Sequence, residues 1–130
     1  MRDVATSATI LVSRATGAAG AGANGGSGGA EISGDGRFVA FVSDADNLST
    51  EDNDADDNVF VRDLVANTTT LVSRATGAGG APADARAHDA GISADGRYVV
   101  FRSGADNLSP DDDNGVDNVF VRTWSPARPR

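Results

Sequence analysis

The sequence predicts an all-β chain built from two copies of one four-stranded antiparallel sheet. Three observations carry that reading. First, the chain repeats itself at a spacing of 60 residues: Thr9-Ile10-Leu11-Val12-Ser13-Arg14-Ala15-Thr16-Gly17 returns as Thr69-Thr70-Leu71-Val72-Ser73-Arg74-Ala75-Thr76-Gly77. Asp35-Gly36-Arg37-Phe38 returns as Asp95-Gly96-Arg97-Tyr98, and Asn58-Val59-Phe60-Val61-Arg62 as Asn118-Val119-Phe120-Val121-Arg122. Second, each copy holds short runs of Val, Thr and aromatic residues bounded by turn residues. Third, one of those runs is apolar on both faces, so its sheet needs cover on both sides. A fixed period means stacked supersecondary units, each unable to bury its apolar face alone.

The first complete unit reads as four strands, A to D. Ala30 to Ser33 is A, and Gly34-Asp35-Gly36 is a tight turn in which Asp-Gly supplies positive φ. Arg37 to Ser43 is B, with Phe38, Ala40 and Val42 on one face and Val39 and Phe41 on the other. Asp57 to Leu64 is C, Val65 to Thr68 a second turn, and Thr69 to Arg74 is D. The second unit repeats A near Ala90 to Ser93, B at Arg97 to Ser103 and C at Asp117 to Trp124. Arg102 stands where the first unit has Val42, so one face of the second sheet is expected to be less completely covered.

Four-stranded antiparallel sheets flanked on both faces by their own copies are the blades of a β-propeller. The run Ile-Ser-x-Asp-Gly-Arg-(Phe/Tyr)-Val-(Ala/Val)-Phe, followed by Asn-Val-Phe-Val-Arg and Thr-Leu-Val-Ser-Arg, resembles the WD40-like (PD40) repeats of TolB-type β-propellers. That resemblance covers almost the whole chain in both copies. It implies a toroid of six to eight blades serving as a binding or scaffolding surface, and a secreted or periplasmic address. Blades of that family are nearer 40 residues, so the 60-residue period here implies two enlarged loops.

Strand connectivity puts both enlarged segments, Asp44–Asp56 and Ala75–Asp89, on the same side of the sheets, where a rigid scaffold commonly carries function. The D-to-A connections, Gly17 to Gly29 and Gly77 to Ala90, are rich in Gly and Ala and read as flexible crossings. The B–C loops hold twelve of the nineteen acidic residues, which focuses the net charge of −8 on that side. Asp52, Asp54, Asp56 and Asn58 place oxygens at alternate positions, as calcium loops do, and Asp112, Asn114, Asp117 and Asn118 form a similar set. The EF-hand pattern is not met, because Asp57 stands where Gly is required and no Glu closes either loop. The competing reading is a solvated acidic loop. Leu48 and Leu108, inside Asp-Asn-Leu-Ser, are expected to anchor the loops to the core.

The order of elements is D, then ABCD, then ABC. Residues 8–14 form the outer strand of a neighbouring blade, residues 30–74 the first blade, and residues 90–124 a second blade without its own outer strand. Exposed edges invite pairing. Strand Thr9–Arg14 of one subunit is expected to complete the blade Ala90–Trp124 of the next, through Thr9, Ile10, Leu11, Val12, Val119, Phe120 and Val121. Such a head-to-tail contact closes into a ring if the rotation suits. A homotrimer of about six blades is the favoured assembly and a homotetramer of about eight the other. The alternative is a purely structural fragment of a longer propeller.

Composition limits the rest. The bulky apolar residues are few, so two small units bury little surface by themselves. The acidic balance disfavours nucleic acid, and no apolar stretch is long enough for membrane insertion. No secretory signal opens the chain, and the absence of Cys rules out disulfides and thiolate metal sites. The excess of Ala, Gly, Asp and Arg points to a bacterial source. His88 has no counterpart in the first repeat and no Gly-x-Ser-x-Gly elbow surrounds any Ser, so no catalytic residue is assigned. The expected function is therefore a non-catalytic binding or scaffolding module with a protein or glycan partner. A carbohydrate-active hydrolase or lyase fragment using loop carboxylates is the lesser alternative.

Overall fold

A computed structural model describes residues 2–3, 7–49, 56–75, 80–109 and 116–123. Among these, every regular element is a strand: β1 (Arg2–Asp3), β2 (Ala8–Thr9), β3 (Ser27–Ile32), β4 (Phe38–Ser43), β5 (Asn58–Asp63), β6 (Thr68–Leu71), β7 (Ala87–Ile92), β8 (Tyr98–Ser103) and β9 (Asn118–Thr123). Strands β3 to β6 form a four-stranded antiparallel meander and β7 to β9 a three-stranded one. The chain is all-β, as its sequence predicts, and strands A to D of the first unit are β3 to β6. Trp124, the expected end of the last strand, lies outside the described residues.

The Ser-x-Asp-Gly-Arg motif is a turn held by its own side chains. Ser33 Oγ donates to Asp35 Oδ1 at 2.6 Å and accepts from the Phe38 N–H at 3.1 Å. Asp35 also accepts from the Arg37 N–H at 3.1 Å, and Gly36 N donates to Ser33 O at 3.0 Å. Only Gly36, at φ 75°, takes a left-handed conformation, so this is a four-residue turn closed by glycine and Asp35 keeps a negative φ. The second unit repeats every one of these bonds with Ser93, Asp95, Gly96, Arg97 and Tyr98.

Strand A begins earlier than the pattern of apolar residues suggests, at Ser27 and Ala87. A bulge separates the two halves of the strand in both sheets, between Gly28 and Glu31 and between His88 and Gly91. Gly29 and Asp89 carry it, at φ 56° and 57°. Strand D ends earlier than expected, at Leu71, because Val72 N and Ser73 N both turn onto Val59 O, at 2.8 and 3.4 Å, and Arg74 bridges to Pro82. The same departure occurs in the first copy. Only Ala8–Thr9 of residues 8–14 is a strand, and Arg14 bridges to Gly22.

The two meanders pack face to face. Phe38, Ala40, Val59 and Val61 of the first meet Ala87, Ala90, Val99 and Phe101 of the second, with Ala105 and Leu108 beside them. Alanine on β7 lets that strand lie close against β3, β4 and β5, which explains why an Ala-rich chain can build a dense interface. The opposite face of the first meander has a smaller cluster of Phe41, Phe60, Leu71, Ala45 and Leu48, with Val12 and Ala23 against it. Phe41 and Phe60 stack at 5.7 Å, and Phe101 and Phe120 repeat the contact at 5.7 Å. Leu48 and Leu108 are both buried, as the loop-anchor reading requires.

Candidate assembly and binding surfaces

The described residues of the D-to-A connections carry a hydrogen-bond pattern that repeats with the sequence. Ala15 N donates to Ala21 O and Ala75 N to Ala81 O, both at 2.8 Å. Asn47 Nδ2 donates to Gly22 O and Asn107 Nδ2 to Pro82 O, both at 2.9 Å. Asn47 Oδ1 in turn accepts from Asn24 N, and Asn107 Oδ1 from Asp84 N. The connection and the start of the B–C loop are therefore tied together in each unit.

An arginine, buried at Arg62 and half-buried at Arg122, joins each unit to the connection that enters it. Arg62 Nη1 donates to Ala15 O and Thr69 Oγ1, each at 3.0 Å, and Nη2 donates to Gly17 O at 2.9 Å. Arg122 Nη1 donates to Arg74 O at 3.1 Å and Ala75 O at 2.6 Å. Burial lowers the pKa of both guanidinium groups from the ordinary arginine value, and the neighbouring Arg14 and Arg74 add to it. Sequence reasoning missed this pair. Its signal was the arginine ending both Asn-Val-Phe-Val-Arg runs, at a place where the strand's in–out alternation points it inward.

A second buried charge is fully paired. Asp63 receives Arg37 in a two-pronged contact, at 3.0 Å from Nε and 2.8 Å from Nη2. Its Oδ1 also accepts from Val65 N and Ala66 N at 2.9 and 3.0 Å, which shapes the turn into β6. Burial pushes the Asp63 carboxyl up, and the Arg37 guanidinium with the two turn amides outweighs it, so the group stays below its ordinary range. The second sheet has Thr123 at the matching place and lacks this link.

Of the calcium candidates, Asp52, Asp54, Asp112 and Asn114 lie outside the described residues. Asp56 is exposed, and its carbonyl accepts from Asn58 Nδ2 at 3.3 Å. Asn58 is buried and its Oδ1 accepts from Ser73 Oγ, so its side chain serves the sheet. Asn118 Nδ2 donates to Val116 O at 3.1 Å. Asp117 faces His88 at 3.1 Å and Arg102 at 3.4 Å, and Arg102 also pairs with Asp89 at 2.8 Å. Among the described residues no cluster of three or more acidic or histidine side chains could hold a metal.

The expected assembly residues fall on the two ends of the stack. Thr9 pairs with Arg2 in the small β1–β2 hairpin. Ile10 and Leu11 are exposed, and Val12 packs against the Phe41 cluster. At the far end, Val119 and Val121 are exposed and Phe120 packs inward on Phe101. Tyr98 and Val100, which the sequence reading passed over, share the outer face with them. Compared with protein-family models, curated proteins and solved structures, the chain gives no match.

Proposed function

We propose that the chain is a non-catalytic binding and scaffold module of β-propeller type. It assembles with copies of itself by strand complementation, and its loop-bearing acidic side meets a protein or glycan partner, with calcium held in the B–C loops. The observation that supports this reading is the repeated joint: Arg62 donates to Ala15 O as Arg122 donates to Ala75 O, so each unit is held to the connection before it by one recurring contact. Arrays whose units meet only their neighbours in this way work as surfaces and assemble by adding like units. Light scattering on the intact chain across a concentration series tests the assembly. A discrete trimer or tetramer supports it, and a well-folded 13.1 kDa monomer at every concentration overturns it. Binding is tested by glycan array and by pull-down, comparing the chain with a variant in which Asp44, Asp46 and Asp106 are changed to Asn.

A further inference from the structure

The two ends of the stack are the two halves of the joint in its middle. Inside the chain, Phe38, Ala40, Val59 and Val61 of one sheet pack on Ala90, Ile92, Val99 and Phe101 of the next. Adding 60 to the first group gives Tyr98, Val100, Val119 and Val121, a face exposed by 44, 40, 72 and 61%. Subtracting 60 from the second gives Ala30, Ile32, Val39 and Phe41, which line a groove beneath residues 10–13 at the other end. The exposed face and the groove, whose rim at Ala30 and Ile32 is exposed while its floor at Val39 and Phe41 is buried, are thus the sequence counterparts of the two sides of that joint.

The strands complement each other in the same register. In the complete sheet Phe60 stands opposite Leu71 and is fully buried beneath it. Phe120, its counterpart on edge strand β9, is only half-buried. Leu11, the counterpart of Leu71, is 53% exposed at the opposite end. By the same register, Val121 would face Ile10, and Arg122 would face Thr9. The place opposite Thr9 is held in this chain by Arg2, and that opposite Ala8 by Asp3. Strand β1 is therefore a two-residue stand-in for the end of β9.

We propose that a second copy of this chain seats its Tyr98–Val100–Val119–Val121 face in the groove floored by Val39 and Phe41. In that joint Leu11 covers Phe120 and β9 displaces β1 from residues 8–9. The contact is heterologous, since each copy uses a different surface. This rests on the self-assembly reading above and specifies its surface and register.

Two variants, Leu11→Arg and Val121→Arg, test it. Both positions are exposed, so both chains should fold, with circular dichroism as the check. Both lower the net negative charge, so general repulsion cannot account for lost assembly. Each variant alone has one damaged half-joint in every contact and is expected to be monomeric. Mixed, they retain one intact pair of surfaces and form a 1:1 heterodimer that grows no further. A third chain lacking residues 1–7 is expected to assemble at lower concentration than the parent, because the stand-in is gone. If the parent assembles and both arginine variants assemble equally well, this surface is wrong while self-assembly stands. If both variants are monomeric but do not combine, the heterologous pairing is wrong. If the parent is monomeric throughout, self-assembly fails and the joint with it.

Discussion

Arg62 and Ala15 lie 47 residues apart and meet at 3.0 Å, and the same contact recurs between Arg122 and Ala75 at 2.6 Å. The arginine donates to backbone carbonyls of the segment that leads into its own sheet. It fastens two successive units where neither has apolar bulk to spare.

Replacing Arg62 with Met keeps the volume but leaves the carbonyls of Ala15 and Gly17 without their charged donor. A buried acceptor left unsatisfied costs about 1–3 kcal/mol. The expected loss is about 3 kcal/mol, read as a lower midpoint in urea unfolding. Arg62→Lys recovers little of it, because an ammonium group cannot span the two carbonyls as the planar fork does. Arg122→Met, at a half-buried site, is expected to cost about 1 kcal/mol.

The Arg37–Asp63 pair makes stability depend on acid. Asp63 titrates lower in the folded chain than its ordinary 3.8, so its contribution is fully present above the unfolded value. It is lost as pH falls through the folded value. The net charge of −8 acts in the opposite sense, since protonation relieves repulsion among the loops. Asp63→Asn separates the two effects. Its urea midpoint is expected to lie below the parent's at neutral pH, by about 3 kcal/mol for a broken buried pair, and to converge with it in acid. Midpoints that run parallel down to about pH 3 would exclude the linkage.

Gly36 and Gly96 share φ 75° but differ in surroundings. A Cβ on Gly36 would meet nothing within 4 Å, whereas one on Gly96 would overlap the Phe38 ring where the turns of the two sheets meet. Gly36→Ala is expected to cost about 1 kcal/mol, the backbone strain alone. Gly96→Ala is expected to cost about 3 kcal/mol or more, because the ring must leave its place in the interface. Thermal melts of the two variants side by side measure the difference.

These contrasts mark what a sequence reader can and cannot see. Strand β4 was legible because Phe38 to Val42 is apolar at every position, and the Ser-Asp-Gly turn because each of its residues has a local task. Leu48 and Leu108 stood out as lone bulky residues in acidic loops. The bulge was hidden, because Gly29 and Asp89 share a backbone conformation and no side-chain pattern. The hydrogen-bond pattern of the connections was hidden too. Their Gly and Ala residues look loose, and what ties them to the B–C loops is the amide side chains of Asn47 and Asn107, more than 20 residues away. Arg62 reads as a surface residue until its partners are seen to be carbonyls brought in from another unit.

Calcium in the B–C loops would offset the repulsion among closely spaced carboxylates, and Asp54 and Asp112 would be ligands. The expected outcome is a melting temperature that rises with millimolar calcium and falls with chelator, a response that Asp54→Ala together with Asp112→Ala abolishes. Superimposable melting curves in calcium and in chelator would remove the metal from the account.

Phe60 and Phe120 give a test that reads assembly through stability. Phe60 is fully buried beneath Leu71, so Phe60→Ala should cost about 4 kcal/mol at any protein concentration. Phe120 stacks on Phe101 but lacks a fourth strand over it, so Phe120→Ala should cost clearly less in dilute solution. If a second copy lays Leu11 over that ring, the cost rises with concentration, because the variant loses a contact that only the assembled parent makes. Urea unfolding at two concentrations a hundredfold apart measures it. A Phe120→Ala penalty that stays constant across that range means that nothing covers the ring in solution, and the edge of β9 is then not completed by Leu11 of a second copy.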